Sequence, residues 1–275
     1  MIVFIAGLGL MGASYAQKLR EAGHTVHGFD HNPHVTQEAL DLGLIARSDV
    51  DALTTCDVCV CALPPQEIIP FIKEHLSLLQ SVPLLTDIAG VKVPLEGIAG
   101  LLPDPSVYRS HHPMAGKAYQ GLKHRDAQMF CEAVCIKIAT PYANALAERY
   151  LDELIAALAF KRTVTLTAQA HDEAIAYVSQ LTHVCAAALM HQPNALEHYG
   201  VAGDSFRDLT RIAKIQAPLW RDLFLLNAPS LVAQIEAFEV AIAAFKKALI
   251  STEADALEAW LQTAHDIKAQ MDERP

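Results

Sequence analysis

Cysteine is scarce: six occur, Cys56, Cys59, Cys61, Cys131, Cys135 and Cys185, and Cys56–Cys59 is their one CxxC spacing. That pair opens an apolar strand-like run, so the common structural zinc sites are not expected, and no metal is expected. Cys59 and Cys61 alternate inside an apolar run and read as one face of a buried strand, so reduced thiols packed as small apolar groups are expected. Basic runs are missing as well. With 21 Lys and Arg against 31 Asp and Glu the net charge is −10, which argues against nucleic acid and anionic membrane surfaces as partners. An anionic ligand would have to be held by a few placed cations. No apolar run reads as long enough to span a bilayer. The N-terminal apolar run is short and passes directly into a glycine motif, unlike a secretory leader. A cytoplasmic protein is expected. Neither an internal repeat nor a low-complexity segment stands out.

Apolar residues are abundant, at 52% of 275, which suffices for a sizeable core and fits two domains. Strand-like runs are MIVFIA (1–6), TVHGF (25–29), DVCVCAL (57–63), VPLLTDI (82–88), SVYRS (106–110), AVCIKIA (133–139) and FKRTVTL (160–166). Helical patterns separate several of them, including ASYAQKLREAG (13–23), PQEIIPFIKEHLSLL (65–79) and ANALAERYLDELIAALA (143–159). Such alternation predicts an α/β fold with a parallel sheet covered on both faces. Beyond residue 167 the pattern turns helical, beginning with the long run TAQAHDEAIAYVSQLTHVCAAALMH. The expected organisation is a Rossmann-type domain over 1–166 and an all-helical domain over 167–275. The helices of the second part are apolar enough to pack on each other or across a dimer.

Gly7, Gly9 and Gly12 form G-x-G-x-x-G directly between a strand and a helix, and Asp30 ends the next strand 18 residues beyond Gly12. Each part has a task in holding a dinucleotide. Gly7 permits a tight turn, Gly9 lets the backbone approach a pyrophosphate, and Gly12 lets helix and strand pack closely. The helix N-terminus offers N–H groups and a positive dipole end to phosphate. Asp30 can accept both ribose hydroxyls and would repel a 2′-phosphate, which favours NAD over NADP. His31 beside it is the one group that, as a cation, would tolerate NADP. The candidate cofactor contacts are Gly7, Leu8, Gly9, Leu10, Met11, Gly12, Asp30, Leu63 and Pro64.

A nicotinamide cofactor needs a substrate that yields hydride, and a base near the reacting carbon. Histidine suits because its pKa lies near working pH. His111 and His112 open a loop, HHPMAG, after the strand SVYRS. In an open α/β sheet such loops border the cofactor crevice.

The segments GLGLMG, LLTDIAGVK (84–92), SHHPMAG (110–116), HDEAIAYVSQLTH (171–183), FRDLTRIA (206–213) and PLWRD (218–222) occur in this order. Together they resemble the prephenate/arogenate dehydrogenase family of tyrosine biosynthesis, over nearly the whole chain. The resemblance implies NAD-dependent oxidative decarboxylation of prephenate to 4-hydroxyphenylpyruvate, or the same chemistry on arogenate, as a homodimer. It assigns the catalytic role to His112, which would take the proton of the ring 4-hydroxyl. His111 receives no role and reads as a loop or surface imidazole. Ser179 and His183, four apart on one helix face, would face the substrate. Arg211 would grip the ring carboxylate, a bidentate task suited to guanidinium, against the alternative of a helix-surface pair with Asp208. Trp220 would line the substrate pocket at the junction of the two domains, while Arg221 and Asp222 read as structural partners. Two departures stand out: Gly90 occupies a position where the family often has serine, and Asp204 and Ser205 precede F-R-D in place of glycines. Rival readings are a dual-specificity cyclohexadienyl dehydrogenase, a β-hydroxyacid dehydrogenase and a non-catalytic NAD-sensing module. The β-hydroxyacid reading expects G-x-G-x-x-x-K, yet beyond residue 167 only Gly200 and Gly203 occur.

Overall fold

The protein is described by a computed structural model covering residues 1–117 and 119–273. Two compact units divide it, Met1–Asn227 and a second beginning at Ala228. The boundary expected near Leu166 falls inside the first.

Seven strands form one sheet in the order β2-β1-β3-β4-β5-β6-β7. They are β1 (Ile2–Ala6), β2 (Thr25–Phe29), β3 (Val58–Cys61), β4 (Leu84–Asp87), β5 (Tyr108–Pro113), β6 (Val134–Ile138) and β7 (Arg162–Leu166). The continuous apolar runs reflect burial on both faces. Along β1, Val3 and Ile5 enter one core cluster while Phe4 and Ala6 enter the other. β3 alternates likewise, with Val58 and Val60 on one side and Cys59 and Cys61 on the other. Helices α1 (Leu10–Glu21) and α5 (Ala145–Leu158) cover the first face with Tyr15, Leu19, Leu151 and Leu154. Helices α3 (Pro65–Glu74) and α4 (Leu76–Leu79) cover the second with Ile68, Phe71, Ile72 and Leu79. The short α2 (Pro33–Asp41) starts at Asn32, whose side chain accepts from the N–H of His34, a standard N-cap.

Three sequence expectations need correction here. The sheet is not wholly parallel: β5 and β6 run antiparallel, pairing His112 with Ile136 and Pro113 with Cys135. The chain between them is a local excursion rather than a helical crossover, and antiparallel pairing needs no crossover helix. The helix expected over 65–79 is broken at His75, which leaves helical dihedrals (φ −108°, ψ 19°) between α3 and α4. Finally, the HHPMAG segment is not all loop, because β5 continues through Pro113.

Beyond the sheet the first unit continues as α6 (Ala168–Ile175), a π-helical turn (Ala176–Leu181), α7 (Thr182–Met190), α8 (Asp204–Thr210) and α9 (Ala217–Leu226). Thr167 caps α6 through the N–H of Ala170. The long helical run read from sequence is thus real, with a π turn inserted where Ser179 lies. Such insertions are uncommon and concentrate at functional sites.

The second unit consists of α10 (Ala228–Ile250) and α11 (Ala254–Asp272), joined in part by the ring contact of Phe245 with Trp260. Phe238, Val240, Ile242 and Ile250 of α10 are exposed. By length and composition α10 could cross a membrane, so the expectation that no stretch is long enough to do so fails for this helix.

Candidate active site

Parallel β1, β3, β4 and β5 end at one edge of the sheet, and the direction of strand order reverses between β1 and β3. In open α/β sheets ligands sit at that edge and at that switch point. The glycine loop follows β1, and Leu63 and Pro64 follow β3. Gly7 has φ +91°, and a Cβ there would lie 2.6 Å from the carbonyl oxygen of Ala62; a Cβ at Gly12 would lie 1.8 Å from the oxygen of Gly7. Neither position accepts another residue without moving the backbone. Gly9 is different, because a Cβ there would meet nothing within 4 Å. The space above Gly9 is open, and no side chain caps α1. The first-turn N–H groups, including those of Leu10 and Met11, are therefore left to a ligand.

Leu8 is fully buried, and its N–H donates to Asp30 Oδ2 at 2.9 Å. Asp30 Oδ1 accepts from the N–H of Asn32, also at 2.9 Å. The carboxylate is held at the crevice rim with further lone pairs free to accept ribose hydroxyls. His31 is exposed, its Nδ1 3.6 Å from Asp30 Oδ1. These features fit a dinucleotide with unphosphorylated ribose.

Strand periodicity separates the two histidines. Successive side chains point to opposite faces, so His111 and His112 cannot share a site. His111 faces α1, hydrogen-bonded to the hydroxyls of Tyr15 at 3.0 Å and Thr86 at 2.8 Å. It is completely buried, and burial, reinforced by the Lys92 charge, lowers its pKa to about 3. The reading of His111 as a loop or surface imidazole is wrong. It is a neutral core group tying the sheet to α1.

His112 faces the other side. Its Nδ1 lies 2.8 Å from Nε2 of His171, and His171 Nδ1 lies 2.7 Å from Asp172 Oδ1. Asp172 also accepts the backbone N–H groups of Lys92 at 2.8 Å and Val93 at 2.9 Å. Burial comes first among the causes that push His112 well below its usual range, followed by His171 and Lys92. The imidazole is thus neutral near pH 7 and able to accept a proton. Its Nε2 faces Gly90: a Cβ there would sit 3.8 Å from Nε2 and 3.6 Å from Leu223 of α9. Among the described residues nothing hydrogen-bonds Nε2.

Lys92 and Asp87 form a buried ion pair at 2.7 Å. Lys92 Nζ also donates to the carbonyl of His111 at 2.8 Å, and Tyr108 donates to Asp87 at 2.6 Å.

The helical residues form a second group. His183 Nδ1 donates to the carbonyl of Ser179 at 2.8 Å, and its ring lies 3.8 Å, centroid to centroid, from Trp220. The Arg211 charge acts on His183, whose pKa is lowered first by burial. Arg211 itself is exposed, at the end of α8, and among the described residues it has no ion-pair partner. The alternative pairing with Asp208 is not formed. Arg221 pairs with its neighbour Asp222 at 2.6 Å. No bond joins His112 to Ser179, His183, Arg211 or Trp220. The connection is α9, which sets Leu223 against Gly90 and Trp220 against His183.

Asp87, Lys92, His171 and Asp172 lay inside motifs quoted from the sequence without being singled out. A lysine five residues after a carboxylate within an apolar stretch, and an adjacent His-Asp opening an apolar helix, were the available signals.

Comparison with known proteins now decides the family. The model of the prephenate dehydrogenase nucleotide-binding domain matches residues 15–161, and that of the prephenate dehydrogenase dimerization domain matches 167–263. This chain belongs to the prephenate dehydrogenase family. It is 26% identical to a prephenate dehydrogenase of Bacillus subtilis, over 97% of this chain and 75% of that protein. It is 27% identical to a cyclohexadienyl dehydrogenase of Zymomonas mobilis, over 97% and 98%. Among solved structures, prephenate dehydrogenase from A. aeolicus, in complex with hydroxyphenyl propionate and NAD+, superposes with a TM-score of 0.87 at 24% identity, covering 98% of each chain. The chain is thus a dehydrogenase with a nucleotide-binding domain and a helical domain of the family's dimerising type. The β-hydroxyacid and sensor readings are set aside, since the matched models are those of an enzyme family with different chemistry.

Proposed function

We propose that the protein carries out NAD-dependent oxidative decarboxylation of prephenate, with arogenate as the alternative substrate, and that His112 is its general base. The observation that carries this reading is the His112 imidazole at the carboxyl edge of the sheet, whose Nε2 has no hydrogen-bond partner among the described residues. Bound NAD supplies the hydride acceptor. Nε2 of His112 accepts the proton of the ring 4-hydroxyl as C4 loses hydride. The ring carboxylate leaves as CO2, its bonding electron pair enters the ring, and the phenol oxygen regains a proton. Aromatisation drives the step.

Gly7, Gly9, Leu10, Met11 and Gly12 cradle the pyrophosphate, Leu8 and Asp30 set the ribose end, and Leu63 and Pro64 border the crevice across the switch point. Ser179, His183, Arg211 and Trp220 receive the substrate, with Arg211 holding the ring carboxylate. Residues 167–275 act as the substrate-binding and dimerising part, and the exposed apolar side of α10 meets a second copy. Glu236 and Glu239 lie within α10, and each would cost on the order of 3 kcal/mol at a bilayer centre. A cytoplasmic homodimer follows, without membrane or nucleic-acid partners.

The direct test is absorbance at 340 nm with NAD and each substrate in turn; no signal with prephenate or arogenate sinks the reading. Asp30→Ala should weaken NAD binding about tenfold and relax discrimination against NADP. An unmoved cofactor preference would take Asp30 off the ribose. Arg211→Ala should raise KM roughly tenfold or more through loss of a charge-assisted grip. Steady-state kinetics with unchanged KM would remove Arg211 from the site.

A further inference from the structure

The base proposed above needs more than position. A neutral imidazole has one bare nitrogen, and only the Nδ1–H tautomer leaves Nε2 free to accept a proton. In this chain the residue beside Nε2 is Gly90, which carries no hydroxyl to hold the ring from that side. Whatever fixes the tautomer must act through Nδ1.

We infer that His171 and Asp172 are positioning residues that lock His112 as the Nδ1–H tautomer and aim its bare Nε2 over Gly90. This rests on the reading of His112 as base. Asp172 is the fixed end. The residue is 1% exposed, its carboxylate already accepts two backbone N–H groups from the segment after β4, and a carboxylate can only accept. His171 must therefore place its proton on Nδ1, facing Asp172 Oδ1. A neutral His171 then presents a bare Nε2 to His112 Nδ1, which must be the donor. His171 is completely buried, and burial keeps its pKa below the ordinary range despite Asp172, so it stays neutral. When His112 takes the substrate proton, its Nδ1–H remains donated to His171 and the imidazolium charge faces the Asp172 carboxylate through one ring. No proton needs to move along the chain. The same carboxylate binds the β4 loop to α6, so the orientation of the base and the position of Gly90 share one anchor. Asn227 Nδ2, donating to the carbonyl of Asp172 at 2.8 Å and to Gln180 at 2.9 Å, adds a further tie.

Two measurements test this on the full-length protein. Nitrogen-15 NMR of the histidine rings, with the His112 signals identified by their loss in His112→Asn, should show Nδ1 protonated and Nε2 bare. This readout needs no substrate, so it stands or falls apart from the reaction assigned above. A protonated Nε2 in the neutral wild-type ring overturns the inference. In kinetics, His171→Leu removes the acceptor and should lower kcat roughly 100-fold, with KM and NAD affinity within about threefold. His171→Gln can accept from His112 through its amide oxygen and donate to Asp172 through its nitrogen. It should recover kcat to within about tenfold of wild type. A leucine variant within about threefold of wild-type kcat, or a glutamine variant no better than a folded leucine variant, overturns the assignment. Should the leucine variant not fold, the glutamine variant and the ring spectra decide: glutamine kcat more than about tenfold below wild type then counts against it.

Discussion

His112→Asn is expected to lower kcat by roughly 1,000-fold while leaving NAD affinity within about twofold. Asparagine keeps a donor toward His171 Nε2, so the site stays assembled, but an amide accepts no proton near pH 7. The cofactor cradle lies at the ends of β1, β2 and β3, and none of its contacts runs through His112. The same residue sets the pH profile. Burial, then the neighbouring His171 and Lys92, hold the imidazole below its ordinary value of 6.5. Protonation destroys the base, so activity is retained from neutral pH down through 6.5 and lost only below it. The asparagine variant should show residual turnover without that acid limb. Near-normal turnover by this variant, or a wild-type limb above pH 7, would remove His112 as the base.

Lys92→Met should destabilise the fold by about 3–5 kcal/mol, the cost of leaving a buried partner charge uncompensated. Lys92 and Asp87 are 2% and 0% exposed. Burial opposes charging both groups and leaves Lys92 below its normal range, yet at Asp87 the Lys92 charge and the hydrogen bonds to the carboxylate together outweigh burial and hold that carboxyl low. Removing the ammonium strands Asp87 among Tyr108 and the N–H of Ala89. It also frees the carbonyl of His111, directly preceding the base, so activity should fall along with stability. In thermal unfolding the midpoint should drop on the order of 10 °C. Lys92→Met with Asp87→Asn should recover at least half of that, because a neutral amide needs no counterion. A single-variant loss under about 1 kcal/mol would show that the pair is not what holds β4 to β5 here.

Much of the fold is legible from local pattern. The seven strands, the glycine loop with Asp30, and the change to helices after residue 167 all follow from periodicity and turn chemistry, which act between near neighbours. The antiparallel placement of β6 is not legible, since strand direction depends on how the chain returns and the alternation of side chains is the same either way. The π turn at Ser179 escapes for a similar reason, as one added residue in a helical turn barely changes an apolar pattern. Within the site, motif order marks His112, and the matched domains show the family. The place of His111 is not legible, because adjacency in sequence suggests a shared loop, whereas a strand sends neighbours to opposite faces.

By itself the sequence determined a nucleotide-binding α/β unit, the helical part after it and the family, because glycine geometry, apolar period and motif spacing are properties of short segments. Tertiary structure alone decided what surrounds each candidate. The contacts that bury His111, pair Lys92 with Asp87 and stand His171 between His112 and Asp172 join residues from separate strands and helices. A proton's place on an imidazole ring depends on which atoms fold around it, and only three dimensions bring those atoms together.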